Sequence, residues 1–284
     1  MADRLAEVSA QIRNVRQLEA VVTALRGIAA SRAQRAHSLL AGIDAYSSVV
    51  SQAIGQALTL MPADYRHPAG RGGERTGLIF FCAEQGFAGA FSERVLDQAE
   101  SDPENAMTFV IGTRGLAVAR ERGLNPSWSI AMASHVDAVP SLANDIGDAL
   151  YEQIASGSPS TIQMIVPRST SGGSIRIERQ SLLPLDLSRF AGSSAALPPL
   201  TTLKPDELLE RLSAEYVYAR LCEAAMHAYA AENHARMMTM TAARHNIGTR
   251  LTTLTQREQH LRQEEITSEI IELAAGAEAL SGRR

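Results

Sequence analysis

Leu5, Val8, Ile12, Val15, Leu18, Val22, Leu25 and Ala29 recur at steps of three or four in a stretch without proline. That rhythm predicts an amphipathic helix with a near coiled-coil period over residues 1–60. Gly27, Gly42 and Gly55 weaken the helix locally without ending it. The pattern fades at Met61–Pro62, and residues 61–76, rich in glycine and charge, read as a linker.

The pattern then shortens. LIFFCA (78–83), MTFVIG (107–112) and TIQMIV (161–166) read as buried strands, and SIRIERQSLL (174–183) as an alternating one. Helices are expected at 90–100, 113–122 and 139–156, the last ended by Gly157 and Pro159. Strands alternating with helices over 77–187 predict a small Rossmann-like α/β domain, followed by a loop-rich linker at 188–205.

From Asp206 to the end there is no proline. Leu212, Ala219, Met226, Asn233, Met240, Ile247, Leu254 and Leu261 repeat every seven residues; Tyr216, Glu223, Ala230, Met237, Arg244, Leu251 and Glu258 form the companion row. A helix of about 70 residues would be roughly 105 Å long. The predicted fold is therefore a long antiparallel coiled coil of the N- and C-terminal helices (1–60 and 206–284) with the α/β domain inserted between them. An ordinary helical bundle is the alternative. Glu223, Arg244 and Glu258 are poor residues for a uniformly dry seam, because a buried unpaired charge costs several kcal/mol. They fit a rod whose surroundings change along its length.

Composition narrows the function. A formal charge of -4 and a pI near 6.0 give no global basic field for nucleic acid. Aromatic residues are only 5 % of the chain, which suits closely packed helices better than a broad aromatic pocket. Cys82 and Cys222 lack CxxC partners and read as buried thiols in a reducing compartment. The N-terminus lacks an apolar signal core, and no stretch is long enough to span a bilayer, so membrane attachment would be indirect.

The most site-like passage is IFFCAEQGFAGAF (79–91). Neither GxGxxG nor GxxxxGK[ST] is present, and Glu84 at the strand end would repel a phosphate unless it held a metal. Gly86 and Gly89 read as a structural turn, Gly86 able to supply a positive φ. The seven histidines show no HExxH, and His227 and His234 share a helical face without forming a metal pair. No GxSxG elbow is present. Arg26 and Arg32 on the first helix, and Arg236, Arg257 and Arg262 on the last, are the residues suited to reversible contacts with acidic loops. Three classes stay open on these residues: a stalk within a larger assembly, a generic coiled-coil scaffold, and a stand-alone nucleotide or redox enzyme.

The termini carry a resemblance. VRQLEAVVTALRGIAASRAQRA (15–36) resembles the N-terminal helix of the gamma subunits of F-type ATP synthases. ENHARMMTMTAARHNIGTRLTTL and RQEEITSEIIELAAGAEAL resemble that family's C-terminal signature, through Glu232, Arg236, Met237, Met240, Asn246, Arg262, Gln263, Ile266, Thr267, Glu269 and Ile270. Gly86 and Gly89 match glycines of its first strand-turn-helix segment. Gly27 stands where the family often has methionine, Arg32 replaces a common lysine, Ala88 and Ala90 alter the turn, and Gln259 stands near an expected asparagine. These departures suggest a divergent or alternate bacterial branch.

The resemblance implies a non-catalytic rotor stalk. Its helices would pass through a ring of three alpha and three beta subunits, with the insert near epsilon and the membrane c-ring. ATP, ADP and Mg would be bound by alpha and beta, with no cofactor on this chain. The location would be the cytoplasmic face of the bacterial inner membrane, as a peripheral protein. The implied rotor contacts are Arg26, Arg32, Arg236, Arg262, Gln263, Thr267 and Glu269.

Overall fold

The computed structural model describes residues 2–62, 75–99, 106–157, 159–170, 173–190 and 199–281. Most of the linker expected at 61–76 and the middle of the one at 188–205 lie outside them. Two compact units are present, Met1–Ile28 with Met237–Arg284, and Ala29–Arg236. Two long helices, α1 (Ala2–Leu58) and α5 (Pro205–Ser281), each contribute to both. Pro205 opens α5, where a missing N–H costs nothing, and Asp206 and Glu207 complement the helix dipole in the first turn.

Burial along α1 follows a strict seven-residue repeat. Val8, Ile12, Ala29, Ala33, Ala36, Leu40, Val50, Ile54 and Ala57 are buried, and all occupy its two seam positions. Leu18 does not: it is 57 % exposed. Steps of three and four from Leu5 pass through Leu18 and Leu25, but the seven-residue seam passes instead through Glu19 and Arg26, both half-buried. The expected apolar stripe was thus one position off around Leu18. A two-helix seam is narrow enough for one position to decide burial.

In the unit of Met1–Ile28 and Met237–Arg284, Val8 and Ile12 pack with Leu254 and Leu261, flanked by Leu5, Val15 and Leu251. Ser9 Oγ donates to Glu258 Oε1 at 2.6 Å.

The unit of Ala29–Arg236 contains a five-stranded sheet. Its strands are β1 (Thr76–Phe81), β2 (Met107–Ile111), β3 (Trp128–Ile130), β4 (Thr161–Ser169) and β5 (Ile175–Leu183), in the order β3-β2-β1-β4-β5. All pairings are parallel except the β4–β5 hairpin. Helices α2 (Phe91–Leu96), α3 (Thr113–Glu121) and α4 (Val139–Ala155) connect them. The three-residue β3 is too short to carry a periodic signal and was not expected. The helix expected at 90–100 is shorter, ending in a single 3-10 turn at Asp97–Ala99.

Both sheet faces are covered, which is why LIFF in β1 is apolar throughout and fully buried. Ile79, Phe81, Phe109, Ile111 and Met164 pack with Leu142, Ile146 and Leu150 of α4 and with α5 from Val217 to Ala230. Leu78, Phe80, Val110 and Ile165 pack with Phe91 and Val95 of α2, Val118 of α3, and Ala231 and Ala235 of α5. Helix α5 therefore serves one face through Ala230 and the other from Ala231. At its other end, Val50 and Ile54 of α1 gather with Leu209 and Leu212, whereas Ala36 and Leu40 belong with Val217 and Leu221. As α1 advances its neighbours on α5 recede, the antiparallel sense.

Candidate functional site

In a doubly wound sheet, ligands bind beyond the carboxyl ends of the strands where strand order reverses. Here that point lies beside β1, because β2 and β4 flank it on opposite sides. The chain leaving β1 is held tightly. Cys82 N donates to Ile111 O at 2.8 Å and Ala83 N to Ser92 Oγ at 3.1 Å. The Glu84 carboxylate then accepts from Thr113 N (3.0 Å), Thr113 Oγ1 (2.8 Å) and Met132 N (2.7 Å).

Thr113 begins α3, so Glu84 satisfies an otherwise unpaired helix amide and faces the positive end of the helix dipole. A phosphate would bind there by the same physics. The chain's own carboxylate takes that position, and its partners are amides and a hydroxyl. The sequence reading of Glu84 as a phosphate repellent captured its sign and missed its structural use.

Helix α5 closes a further side of the crevice. Glu232 accepts from the backbone amides of Glu84 (3.1 Å) and Gln85 (3.2 Å). Arg236 donates from Nε to Gly86 O and from Nη2 to Gln85 O, both at 3.1 Å, and pairs with Glu232 one turn back. Its Nη1 donates to Asn233 Oδ1 at 3.2 Å, while Asn233 Nδ2 donates to Tyr229 O at 2.9 Å. All three side chains are buried. An ion pair so buried loses hydration, and backbone dipoles restore part of the loss. The turn beyond is shaped by positive φ at Gly89 (62°) and at Phe87 (62°), not at Gly86, correcting the expected position.

A second polar cluster lies nearer the start of α5. Glu223, expected as a seam interruption, is buried and fully partnered. Arg168 Nη2 of β4 donates to its Oε1 and Arg220 Nη1 to its Oε2, both at 2.5 Å. Arg168 Nε lies 3.1 Å from Glu178 Oε2 of β5, and Arg220 Nη2 donates to Gln180 Oε1 of β5 at 2.7 Å. His227 Nε2 sits 3.9 Å from Glu223 Oε1. Burial, then the Arg168 charge, lowers the His227 pKa to about 4, so it is neutral near pH 7. His234, one heptad on, instead bonds to Gly173 O at 2.9 Å. Among the described residues no cluster of His, Cys, Asp and Glu could hold a metal.

Cys82 is a buried free thiol whose pKa is raised by burial and then by Glu232 and Glu93. Its side chain occupies the space a Cβ on Gly115 would need, which explains that glycine. Gly112 has φ +109° and its missing Cβ would fall 2.6 Å from Ala83 O. Neither glycine stood out in the sequence, because their requirement comes from a strand 30 residues away.

The expected contact residues separate. Arg236 is buried, its guanidinium engaged with Glu232, Asn233 and the 85–86 carbonyls. Arg32 is half-buried, and its charge opposes the rise that burial gives the Tyr229 hydroxyl pKa. Arg26 is half-buried at a seam position. Arg262 is exposed and lies 3.7 Å from Glu258. Gln263, Thr267 and Glu269 are exposed, with Thr267 Oγ1 donating to Gln263 O at 2.8 Å. Ile266, Ile270, Ile271 and Leu273 are exposed on the same helix.

A doubly wound domain that sets its own carboxylates and arginine at the switch point, inserted between two long helices, defines a stalk-type architecture. The ATP synthase family matches residues 4–280. A gamma chain of ATP synthase from Clavibacter michiganensis subsp. michiganensis is 28 % identical over 304 residues, covering 100 % of both chains. One from Streptomyces avermitilis is 26 % identical over 300 residues, covering 99 % of this chain and 97 % of the relative. The rotor of the Euglena gracilis mitochondrial ATP synthase has a similar fold, with a TM-score of 0.66 at 11 % identity over 94 % of this chain and 100 % of that one. This chain belongs to the ATP synthase gamma family. Among the described residues no helix is long and apolar enough to cross a membrane.

Proposed function

We propose that this chain is the central rotor stalk of a bacterial ATP synthase, coupling ion-driven rotation of a c-ring to ATP synthesis or hydrolysis in a ring of alpha and beta subunits. The observation that carries the reading is the family match across residues 4–280, spanning both long helices and the insert between them. An asymmetric helix pair makes unequal contacts with three otherwise equivalent subunit pairs, so each rotational position favours a different nucleotide-site conformation. ATP, ADP and Mg are bound by alpha and beta. Epsilon and the c-ring meet the insert, which places the chain peripherally at the cytoplasmic face of the inner membrane.

The contacts to the ring are Arg262, Gln263, Thr267 and Glu269, exposed on α5, together with Arg26 and Arg32 on α1. The exposed Ile266, Ile270, Ile271 and Leu273 supply an apolar surface beside them. Reconstitution with cognate alpha and beta subunits tests the assignment, by ATP hydrolysis and by rotation of an attached filament. Failure of the purified chain to enter the complex would sink it.

A further inference from the structure

Between Val217 and Arg236, α5 is buried on almost every side, with alanine the commonest buried residue: Ala219, Ala224, Ala225, Ala228, Ala230, Ala231 and Ala235. Alanine ridges are shallow. They bury area well, but apolar contact is non-directional and resists turning of the helix about its own axis only weakly. Leu221, Met226 and Tyr229 add interdigitating bulk, and the directional restraint on this stretch comes from its charged interruptions.

Those interruptions stand on opposite faces. Glu223 and Glu232 are nine residues apart, about 180° around the axis and roughly 13 Å along it. Glu223 is held by Arg168 of β4, whose other nitrogen meets Glu178 of β5. Glu232 holds the Glu84 and Gln85 amides after β1, and Arg236 holds the carbonyls of Gln85 and Gly86. Both anchors belong to the same sheet. Two tangential restraints on opposite sides of a rod form a couple, the arrangement that blocks rotation with least force on each.

We propose that Glu223–Arg168 and Glu232–Arg236 are two polar pins that key α5 to the insert and carry torque between them. They are positioning residues for the rotary function, and the proposal rests on the rotor reading above. Polar pins resist sliding because displacement breaks aligned hydrogen bonds and leaves buried charges without partners.

The test uses the full chain assembled with alpha, beta and the membrane sector in vesicles, reading ATP hydrolysis and ATP-driven ion uptake together. Glu223→Gln with Glu232→Gln preserves shape and removes both charges. Hydrolysis should stay near the wild-type rate while ion uptake per ATP falls several-fold. Should the double variant fail to assemble, the same ratio is read on Glu232→Gln alone, which keeps one amide acceptor. An unchanged ratio in assembled variants overturns the pins and leaves the rotor assignment standing. A wild-type chain that does not assemble overturns the rotor assignment instead.

Discussion

Replacing Glu84 by alanine should destabilise the insert by about 1.5–5 kcal/mol. Two losses make up that figure. The first amide of α3, on Thr113, loses its carboxylate acceptor, and loss of such a cap costs about 0.5–2 kcal/mol. Met132 N loses its acceptor at a buried residue, which costs about 1–3 kcal/mol. The Thr113 hydroxyl is exposed and can turn to water, so its bond adds little. Glu84→Gln keeps the shape and one acceptor oxygen, and should fall between wild type and alanine. Two compact units make a single global transition unsafe to assume, so a local probe is needed. The chain's one tryptophan, Trp128, lies in β3, four residues before Met132 and 6.3 Å from the ring of Phe109. Urea unfolding followed by Trp128 fluorescence therefore reports on the sheet edge that Glu84 stitches. A midpoint for Glu84→Ala unchanged from wild type would refute the clamp, since Glu84 is the side chain that accepts from both Thr113 N and Met132 N among the described residues.

His227 is lowered to about 4 from an ordinary 6.5, so the unfolded chain takes up the proton first as pH falls. Its contribution is complete above about pH 6.5 and is lost toward pH 4, costing about 2 kcal/mol at pH 5; His227→Gln should flatten the urea midpoint between pH 7.5 and 5. Gly115→Ala would drive a Cβ into the Cys82 side chain and should cost about 1–3 kcal/mol or more, with Cys82→Gly restoring much of the loss in a thermal melt. Arg262→Ala with Gln263→Ala should leave assembly intact and lower coupled turnover modestly, because both side chains are exposed and make few contacts within the chain; unchanged turnover and torque would remove them as ring contacts.

The helices and the sheet were legible because their signals are local. A seven-residue repeat along α5 and apolar runs such as LIFF leave few alternative structures. What escaped was set by partners distant in sequence. Arg236 read as a cation suited to acidic loops, and within the chain its guanidinium donates to carbonyls 150 and 151 residues earlier. Glu84 looked like a misplaced acid, and Gly112 and Gly115 looked ordinary. Glu84, Gly112 and Gly115 are explained by the packing of β1's exit against α3, and Arg236 by the packing of α5 against that same exit. Leu18 was misread for a different reason, since steps of three and four can follow two adjacent tracks and only the true seam at Glu19 and Arg26 distinguishes them.

The polar positions on the α5 seam show that a heptad interruption is a question about supply of partners. Glu223 is buried because β4 brings it Arg168 and its own helix brings Arg220, so the charge is matched where water is excluded. Asn233 is buried because a carbonyl one turn back and the Arg236 guanidinium satisfy its amide. Glu258 is half-buried and takes a hydroxyl from Ser9 with Arg262 nearby, while Arg244 simply faces solvent. If any of these were interchangeable with leucine, substitution would remove a desolvation cost and raise stability. The distinction lies in what is lost with it: at Arg244 nothing internal, at Glu223 the directional hold on a helix whose commonest buried residue is alanine. Glu223→Leu with Arg168→Leu and Arg220→Leu, which removes every charge paired to Glu223 along with it, should accordingly leave the chain as stable as wild type or more so in urea, while weakening the coupling of hydrolysis to ion uptake. Loss of stability with coupling intact would mean that the cluster serves folding alone.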